Sequence, residues 1–586
     1  MNNPFRWSRS DLVFRVTLGF AAALGLFLRL FLIFDQVLLD DEWHALYYVV
    51  GKSPGFLLTH FAIPGATCIP LNLYTWLLGA TVGYSEILLR LPSLICGLAC
   101  VIVFPLLVRK FIGARASIIF SFLLACSPLL IFYSRNCRPY SAVALFGLLT
   151  IIAAVHWLET RRSAWGILYA VSAVLAIYFH LFSIVTVAAA SLIGFVVHIR
   201  ARLPGNLKGE PFGPPLRYWV AAHLLIAVIS VALVLPALIH SAQTTLFKDV
   251  ALKGIFGLKA MLEVPVLISG TGQIVLASLF WTLVCFGAVV QCRCRPWFGA
   301  MLLVLVPLHA LALWISRPDC AHSAIVLTRY CLPLVPVSLL LAACGIQQLL
   351  ESLRAATNLR PASQGITAAA TVAALAAAGP LPQCYVSPNA FTNHSAYQNR
   401  YSTLDWRHSY DGFPSTTIIR ADEVSSVYKR LAGHRRSRPI VEYPMMLGDY
   451  YNPFYYYQHF HHRPVIVGYA THSTNALALA PGYVFGNTYV DEAMTVIARE
   501  QTVRFHGMLH MDDLAGMRAR GVEMIVIHKT FEAQLCMVAP PPPELERIRI
   551  ACRQLLGPPE FEDEHVEAFR LGPPASEAHS GAMTVR

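Results

Sequence analysis

The stretch LVFRVTLGFAAALGLFLRLFLIFDQVLLDDEWH, residues 12–44, joins a long apolar run directly to three acidic residues. A helix that crosses a bilayer needs about 20 consecutive apolar residues. The run Leu12–Phe34 therefore predicts a membrane-spanning helix that carries Asp40, Asp41 and Glu42 to a membrane surface. The run is too long for the apolar core of a signal peptide and no convincing cleavage site follows it, so we expect a retained anchor.

The whole chain has the composition of an integral membrane protein. Of its 586 residues 56% are apolar and only 13% are charged, and the mean hydropathy is +0.55. A soluble domain carries roughly 25% charged residues, so disordered, collagenous, coiled-coil and purely soluble classes are excluded. We predict a polytopic α-helical membrane protein with about eleven spans: Leu12–Phe34, Leu91–Val108, Ala116–Tyr133, Ser141–Leu158, Trp165–Phe182, Ser183–His198, Tyr218–His240, Gln273–Val290, Trp297–Ile315, Tyr330–Leu350 and Gly365–Gly379.

The distribution of charge predicts the orientation of the chain. The net charge of +12 comes from residues 1–380, whose balance is +14, whereas residues 381–586 have a balance of −2. Loops on the same side of the membrane as the amino terminus hold 16 basic and 4 acidic residues. Loops on the opposite side hold 9 basic and 8 acidic residues. By the positive-inside rule the amino terminus is cytoplasmic and residues 381–586 are extracytoplasmic, in a multi-pass protein of the plasma (inner) membrane. No basic stripe with interleaved aromatic residues appears, so we expect no nucleic-acid partner.

The segment after the last span has a different pattern, which divides the chain into domains 1–380 and 381–586. Short apolar runs at Pro439–Tyr443, Pro464–Tyr469 and Val522–His528 predict strands. The helical patterns between and after them are Asp422–Leu431, Asp512–Arg520 and Glu544–Leu556, the last capped by Gly557. Strands alternating with helices predict a small extracytoplasmic (periplasmic) α/β domain.

The acidic loop after the first span has two interpretations. Adjacent carboxylates repel one another, so a structural or functional gain must offset that cost. In the first interpretation Asp40 or Asp41 caps a solvated helix, which Glu42 would suit. In the second, one carboxylate is a general base, or the group holds a cation or sugar hydroxyls. The residues alone leave both open.

Arginine and aromatic residues gather at the same predicted outer face. They include Arg29 in the outer half of the first span, Arg135, Arg138 and Tyr140 after the third, His180 at the end of the fifth, and Arg329 with Tyr330 at the start of the tenth. Any one arginine could simply extend to the lipid headgroups. Together they outline a cationic site for a phosphate, because a guanidinium offers two parallel hydrogen-bond donors.

The order of these motifs resembles that of the GT-C glycosyltransferases, and most closely the bacterial group related to aminoarabinose transferase and the protein O-mannosyltransferases of family 39. The resemblance covers roughly residues 10–350. It rests on the acidic pair after the first span, GYSEILLRLPS at residues 83–93, the segment from Ser127–Pro128 to Arg138–Pro139–Tyr140, and Arg329–Tyr330 with Pro333 and Pro336.

The resemblance implies transfer of a sugar from a polyprenyl-phosphate carrier to a hydroxyl acceptor (a lipid, glycan or protein) at the outer face, usually with inversion. It makes Asp41 the catalytic aspartate and Glu42 its paired residue. His60 and Pro70–Leu71 take the place of the family's His…Pro-Pro-Leu segment. Cys68–Ile69–Pro70 stands where a lysine or second proline often lies, so arginines would have to replace a lysine on the carrier phosphate.

The residue types define a mechanism for this expectation. A hydroxyl is a poor nucleophile near neutral pH, so we expect Asp41 to accept its proton as general base. Arg138 and Arg329 would bind the phosphate and stabilise the charge that develops on it, and Glu42 would orient the sugar or the acceptor. Tyr140, Tyr330, His60, Arg135 and His180 complete the predicted binding residues. The sequence leaves open whether a divalent metal ion takes part.

Three other functions remain as alternatives. A transporter or flippase of lipid-linked saccharides would be expected to show two related halves and broken helices near the midplane, and no similarity between halves is found. An oligosaccharide ligase that transfers a whole glycan would use the same kind of site. A purely structural scaffold would leave the arginines of the outer face without a role.

Overall fold

The computed structural model is a bundle of membrane helices followed by a small mixed sheet. It describes residues 9–38, 42, 46, 49, 51–61, 68–200, 213–240, 257–318, 321, 324–357 and 361–386 of the helical part. In the carboxy-terminal part it describes residues 420, 422, 424–432, 438, 440–446, 457, 460–461, 463, 465–468, 514, 518, 522–529 and 542–571.

Most of the described helices up to residue 386 follow predicted apolar runs, whereas those at Pro54–Thr59, Ile69–Thr81 and Leu258–Ser269 were not predicted. They are α1 (Arg9–Leu30), α2 (Pro54–Thr59), α3 (Ile69–Thr81), α4 (Glu86–Cys126), α5 (Pro128–Ser134), α6 (Tyr140–Thr160), α7 (Ser163–Phe179), α8 (Ile184–Arg200), α9 (Leu216–His240), α10 (Leu258–Ser269), α11 (Ile274–Cys294), α12 (Pro296–Ser316), α13 (Ala324–Tyr330), α14 (Leu334–Thr357), α15 (Pro361–Ala377) and α16 (Leu381–Val386). Among the described residues, eight helices are long and apolar enough to cross a membrane, and Ser163–Phe179 and Gly365–Ala377 are shorter apolar helices. The chain is therefore a multi-pass membrane protein.

The eight long helices and the two shorter apolar helices account for the eleven predicted spans, because the second and third predicted spans share one long helix. The second lies within the 41-residue α4, and the third begins in α4 and continues into α5. α4 is interrupted at Gly113, where φ is +80°. This backbone conformation is readily adopted only by glycine, so Gly113 is where the chain changes direction between the two spans.

The prediction was wrong at the start of the tenth span, because residues 331–333 form a turn and α14 begins at Leu334. Arg329 and Tyr330 instead end the separate helix α13.

Small residues allow the closest helix pair of the bundle to form. A Cβ atom on Gly287 of α11 would lie 1.9 Å from the carbonyl oxygen of Leu341, and one on Gly345 of α14 would lie 2.1 Å from that of Leu283. Glycine is therefore required on both helices for the backbones to approach this closely, as is common between helices in membranes.

The carboxy-terminal region contains a five-stranded sheet of order β2-β1-β3-β5-β4. The strands are β1 (Ile440–Met446), β2 (Val465–Gly468), β3 (Met524–His528), β4 (Phe561–Glu562) and β5 (Val566–Arg570). β1 pairs in parallel with β2 and β3, while β5 pairs antiparallel with β3 and β4. All three predicted strands are present, and β4 and β5 were not predicted.

In the part of the chain that the structure describes, the helices with defined bounds beside this sheet are α17 (Ser426–Ala432) and α18 (Pro542–Leu556). α18 ends, as predicted, before Gly557, whose φ of +85° is the left-handed conformation expected after a helix. Of the predicted helix Asp512–Arg520, only Leu514 and Arg518 lie within the described residues, and both are helical.

Candidate active site at the end of the first span

The acidic loop is anchored to the bundle by a buried ion pair. Asp40 and Asp41 lie outside the described residues, but Glu42 is described and is 2% exposed. The Arg90 guanidinium donates two hydrogen bonds to it, from Nε to Oε1 at 2.8 Å and from Nη2 to Oε2 at 2.7 Å. This bidentate geometry is the strongest that an arginine and a carboxylate can form, so the residue next to Asp41 is held in one position.

Arg90 also binds the chain between α1 and the acidic loop. Its Nη1 donates to the carbonyl oxygen of Gln36 at 2.7 Å, and its Nη2 donates to that of Val37 at 2.9 Å. Glu42 Oε1 in addition accepts a hydrogen bond from the backbone N–H of Cys137 at 3.1 Å. The Arg90–Glu42 pair thus joins three parts of the chain, which are residues 36–42, the start of α4 and the segment after α5. Glu42 is used in structural contacts.

The segment after α5 is bound both to Gln36, which precedes the acidic loop, and to the start of α4. Arg135 Nε donates to Gln36 Oε1, and Gln36 Nε2 donates back to the carbonyl oxygen of Arg135, both at 2.9 Å. Ser93 Oγ donates to the carbonyl oxygen of Arg138 at 2.8 Å.

Burial and the charge of Glu42 raise the pKa of the Cys137 thiol well above its usual value. Cys137 is therefore a neutral thiol, and it donates to the Glu42 carbonyl at 3.5 Å.

Tyr140 and four other predicted binding residues form one cluster. The guanidinium carbons of Arg138 and Arg329 each lie 5.9 Å from its centroid, although these residues belong to distant parts of the chain. His180 lies 6.3 Å from Tyr140 and 5.8 Å from Tyr330, measured between ring centroids. Two cations at one ring produce a positive potential that suits a phosphate.

His180 contributes a neutral ring to this cluster. It lies between α7 and the 3₁₀ turn Leu181–Ser183, and its Nδ1 accepts a hydrogen bond from the backbone N–H of Phe182 at 3.2 Å. Burial and the nearby charge of Arg138 lower the pKa of His180 to about 4. The proton of the neutral ring therefore resides on Nε2, which can donate one hydrogen bond.

His60 and Arg29 make different contacts. His60 ends α2 and stacks on Phe56 at 4.2 Å and on His240 at 4.3 Å, and none of its described ring contacts involves Tyr140. Arg29 is fully buried and donates to the carbonyl oxygens of Gly25, Leu124 and Ala125 and to Ser134 Oγ, at 3.1–3.2 Å. The part that we expected Arg29 to play in the cationic site is not supported, because its donors bind the bundle itself.

Sequence reasoning did not assign roles to Arg90 and Gln36, which organise the site. The signal for Arg90 was available, because it interrupts the apolar run Leu88–Leu91, and a charge within a span is costly unless it is paired. Gln36 gave no comparable signal. Among the described residues no group of three His, Cys, Asp or Glu side chains could hold a metal ion.

Comparisons with known proteins identify a matching family model and solved structures of similar fold. Residues 69–208 match the family model described as dolichyl-phosphate-mannose-protein mannosyltransferase. ArnT from Cupriavidus metallidurans in the apo state is similar over 96% of this chain and 99% of its own, with a TM-score of 0.52 and 14% identity. The chain has the GT-C fold. No curated protein sequence matches it.

Other solved structures are similar at lower scores. ArnT from the same organism bound to undecaprenyl phosphate has a TM-score of 0.49 at 13% identity, over 96% of this chain and 99% of its own. The oligosaccharyltransferase AglB from Archaeoglobus fulgidus has a TM-score of 0.39 at 12% identity, over 88% of this chain and 69% of its own. The similarity to apo ArnT confirms the GT-C fold that the resemblance of the sequence implied.

Proposed function

We propose that this GT-C chain is a glycosyltransferase that moves a single sugar from a polyprenyl-phosphate carrier to a hydroxyl acceptor at the outer face of the membrane. The observation that carries the proposal is the convergence of Arg138 and Arg329 on Tyr140, beside a segment that is tied through Ser93, Cys137 and Gln36 to the acidic loop. The family model matched by residues 69–208 also names a lipid-phosphate sugar donor.

In this mechanism Asp41 accepts the proton of the acceptor hydroxyl. The hydroxyl oxygen forms a bond to the anomeric carbon while the bond from that carbon to the phosphate oxygen breaks, and the electron pair leaves with the polyprenyl phosphate. Arg138 and Arg329 stabilise the charge that the phosphate gains. A single displacement of this kind inverts the anomeric configuration.

Glu42 and Arg135 have positioning roles in this proposal. Glu42 was expected to orient the sugar or the acceptor, but its described hydrogen bonds go to Arg90 and to the Cys137 N–H. Arg135 was expected to bind substrate, and its described bonds go to Gln36 and to the carbonyl oxygen of Leu28. We assign both to holding the loop, and Tyr140, Tyr330 and His180 to the walls of the donor site.

The proposal is tested by removing the arginines one at a time. Arg138→Ala and Arg329→Ala should each weaken binding of the polyprenyl-phosphate donor by roughly ten- to a hundredfold, because a hydrogen bond to a charged group contributes about 1.5–3 kcal/mol. Donor binding is measured on purified protein in nanodiscs, with folding checked by thermal unfolding.

Arg317→Ala is the matched control, since Arg317 lies at the same predicted face but contacts Trp314, at 5.5 Å from the ring centroid. Its donor affinity should stay within about twofold of wild type, as expected for an isolated surface substitution. Wild-type donor affinity in folded Arg138→Ala and Arg329→Ala proteins would contradict a phosphate site at Tyr140.

A further inference from the structure

The chain between α1 and the acidic loop, residues 31–38, leaves the first helix through an unusual turn. Leu32 has a φ of +50°, a left-handed conformation that side chains with a Cβ rarely adopt. Such a residue persists only where the surrounding structure holds it. The contacts that hold this connecting segment therefore also set the direction in which the acidic loop departs.

The first of these contacts comes from Tyr385 in α16. Its ring lies 4.9 Å from that of Phe31 and 6.3 Å from that of Phe27, and its hydroxyl donates to the carbonyl oxygen of Leu28. The residue that begins the turn is thus packed against the start of the carboxy-terminal region.

The second contact lies at the other end of the segment, at Val37. This side chain is 1% exposed and belongs to the hydrophobic core of the carboxy-terminal sheet. Its partners in that core come from α17, β1, β3 and β5 and include Val427, Ile440, Val526, Val566 and Ala568. Val37 is thus a residue of the connecting segment whose side chain is buried with the sheet rather than with the membrane helices.

Val37 is also held from the membrane side. Its carbonyl oxygen accepts a hydrogen bond from Arg90 Nη2, and the same nitrogen donates to Glu42. The sheet core therefore holds the side chain of Val37, and Arg90 holds its carbonyl oxygen. Val37 and Glu42 precede and follow Asp41 in the sequence, and both are bound by the Arg90 guanidinium.

We propose that the carboxy-terminal region positions the catalytic loop, with Val37 and Tyr385 as its positioning residues. This inference rests on the proposed function only in calling the loop catalytic. The sheet core fixes the end of the connecting segment, and with it the point from which the acidic loop departs. Misplacing a reacting group by about 1 Å can lower the rate a hundredfold.

The test compares Val37→Ala with Val566→Ala in the full-length protein. Both substitutions remove the same two methyl groups from the same buried core, but only Val37 belongs to the connecting segment. Val37→Ala should lower kcat at least about tenfold with little change in the KM for donor. Val37→Ile, which keeps an apolar side chain in the sheet core, should retain the wild-type kcat. Val566→Ala should leave kcat within about twofold of wild type at an equal loss of stability.

Hydrogen exchange without substrate separates this inference from the proposed function. In Val37→Ala, residues 31–50 should exchange at least about tenfold faster, while residues 91–108 of α4 keep the wild-type rate. Unchanged exchange in residues 31–50, or equal losses of kcat in Val37→Ala and Val566→Ala, would overturn the positioning role. Faster exchange with full transfer activity would overturn instead the assignment of the acidic loop as catalytic.

Discussion

Glu42 and Arg90 form an ion pair from which water is almost excluded, since the side chains are 3% and 0% exposed. In such a place the cost of desolvation offsets much of the attraction, so the pair adds little net stability over an apolar pair. Removing one partner is different, because the remaining charge stays buried without compensation. The pair therefore specifies the position of the loop more than it stabilises the fold.

Glu42→Gln should accordingly destabilise the protein by about 3–5 kcal/mol, through the buried charge left on Arg90. Thermal unfolding of the purified protein and the yield of folded protein measure this loss. Glu351→Gln is the control, because Glu351 lies on the exposed face of α14 and its substitution should change stability by less than about 0.5 kcal/mol.

The same variant also decides between two roles for Glu42. If Glu42→Gln were as stable as wild type but had lost transfer activity, the carboxylate would contact substrate, as the sequence first suggested. The charges of the acidic triplet and of Arg90 are both visible in the sequence, but the pairing of Arg90 with Glu42 is not, because pairing across 48 residues depends on how α4 packs.

At the scale of elements, apolar length predicted the spans well and placed one break correctly. Gly113, where α4 is interrupted, lies between the predicted end of the second span at Val108 and the predicted start of the third at Ala116. The start of the tenth span was not predicted correctly. Arg329 and Tyr330 were placed in the tenth span because the apolar pattern continues through residues 331–333, which form a turn.

The two missed strands show a different limit of the sequence. β5 contains Glu567, which is buried and paired with Arg549 and Arg553 of α18. Because a charged residue usually indicates an exposed position, β5 was not predicted as a strand of the core. β4 has only two residues. Strand prediction depends on apolar alternation over several residues, and neither strand offers it.

At the scale of the whole molecule, the residues of the Tyr140 cluster could be predicted from the sequence, but their proximity to one another could not. Arg138, His180 and Arg329 belong to three separate connections between spans, and only the fold shows that they share neighbours. The resemblance to GT-C enzymes supplied that arrangement as an expectation. The contact of the carboxy-terminal sheet with Val37 had no signal in the sequence.

The orientation of the molecule remains a prediction from its charges. A reporter that is active only in an oxidising compartment should be active when fused after Arg586 and inactive when fused after Arg162, because the latter loop is basic and predicted to be cytoplasmic. Activity of the Arg162 fusion would place the acidic loop on the cytoplasmic side and contradict the proposed reaction. Inactivity of the Arg586 fusion would mean either that the acidic loop is cytoplasmic or that the number of spans differs from eleven.

The central claim is that Asp41 is the general base of a sugar transfer, and Asp41→Asn tests it most directly. The protein is reconstituted in liposomes with donor lipids and acceptors extracted from cells that lack this chain. Asparagine keeps the shape and replaces an N-cap aspartate almost without loss, but it cannot accept the proton. The transfer rate should fall at least about a hundredfold with donor affinity and stability unchanged.

Asp40→Asn is the control for that measurement and should have a much milder effect, and the wild-type product should show an inverted anomeric configuration by NMR. A larger loss in Asp40→Asn than in Asp41→Asn would move the base by one residue. Transfer by Asp41→Asn within a few fold of the wild-type rate would contradict the account, because the acidic loop would then be a solvated turn and the base would lie elsewhere.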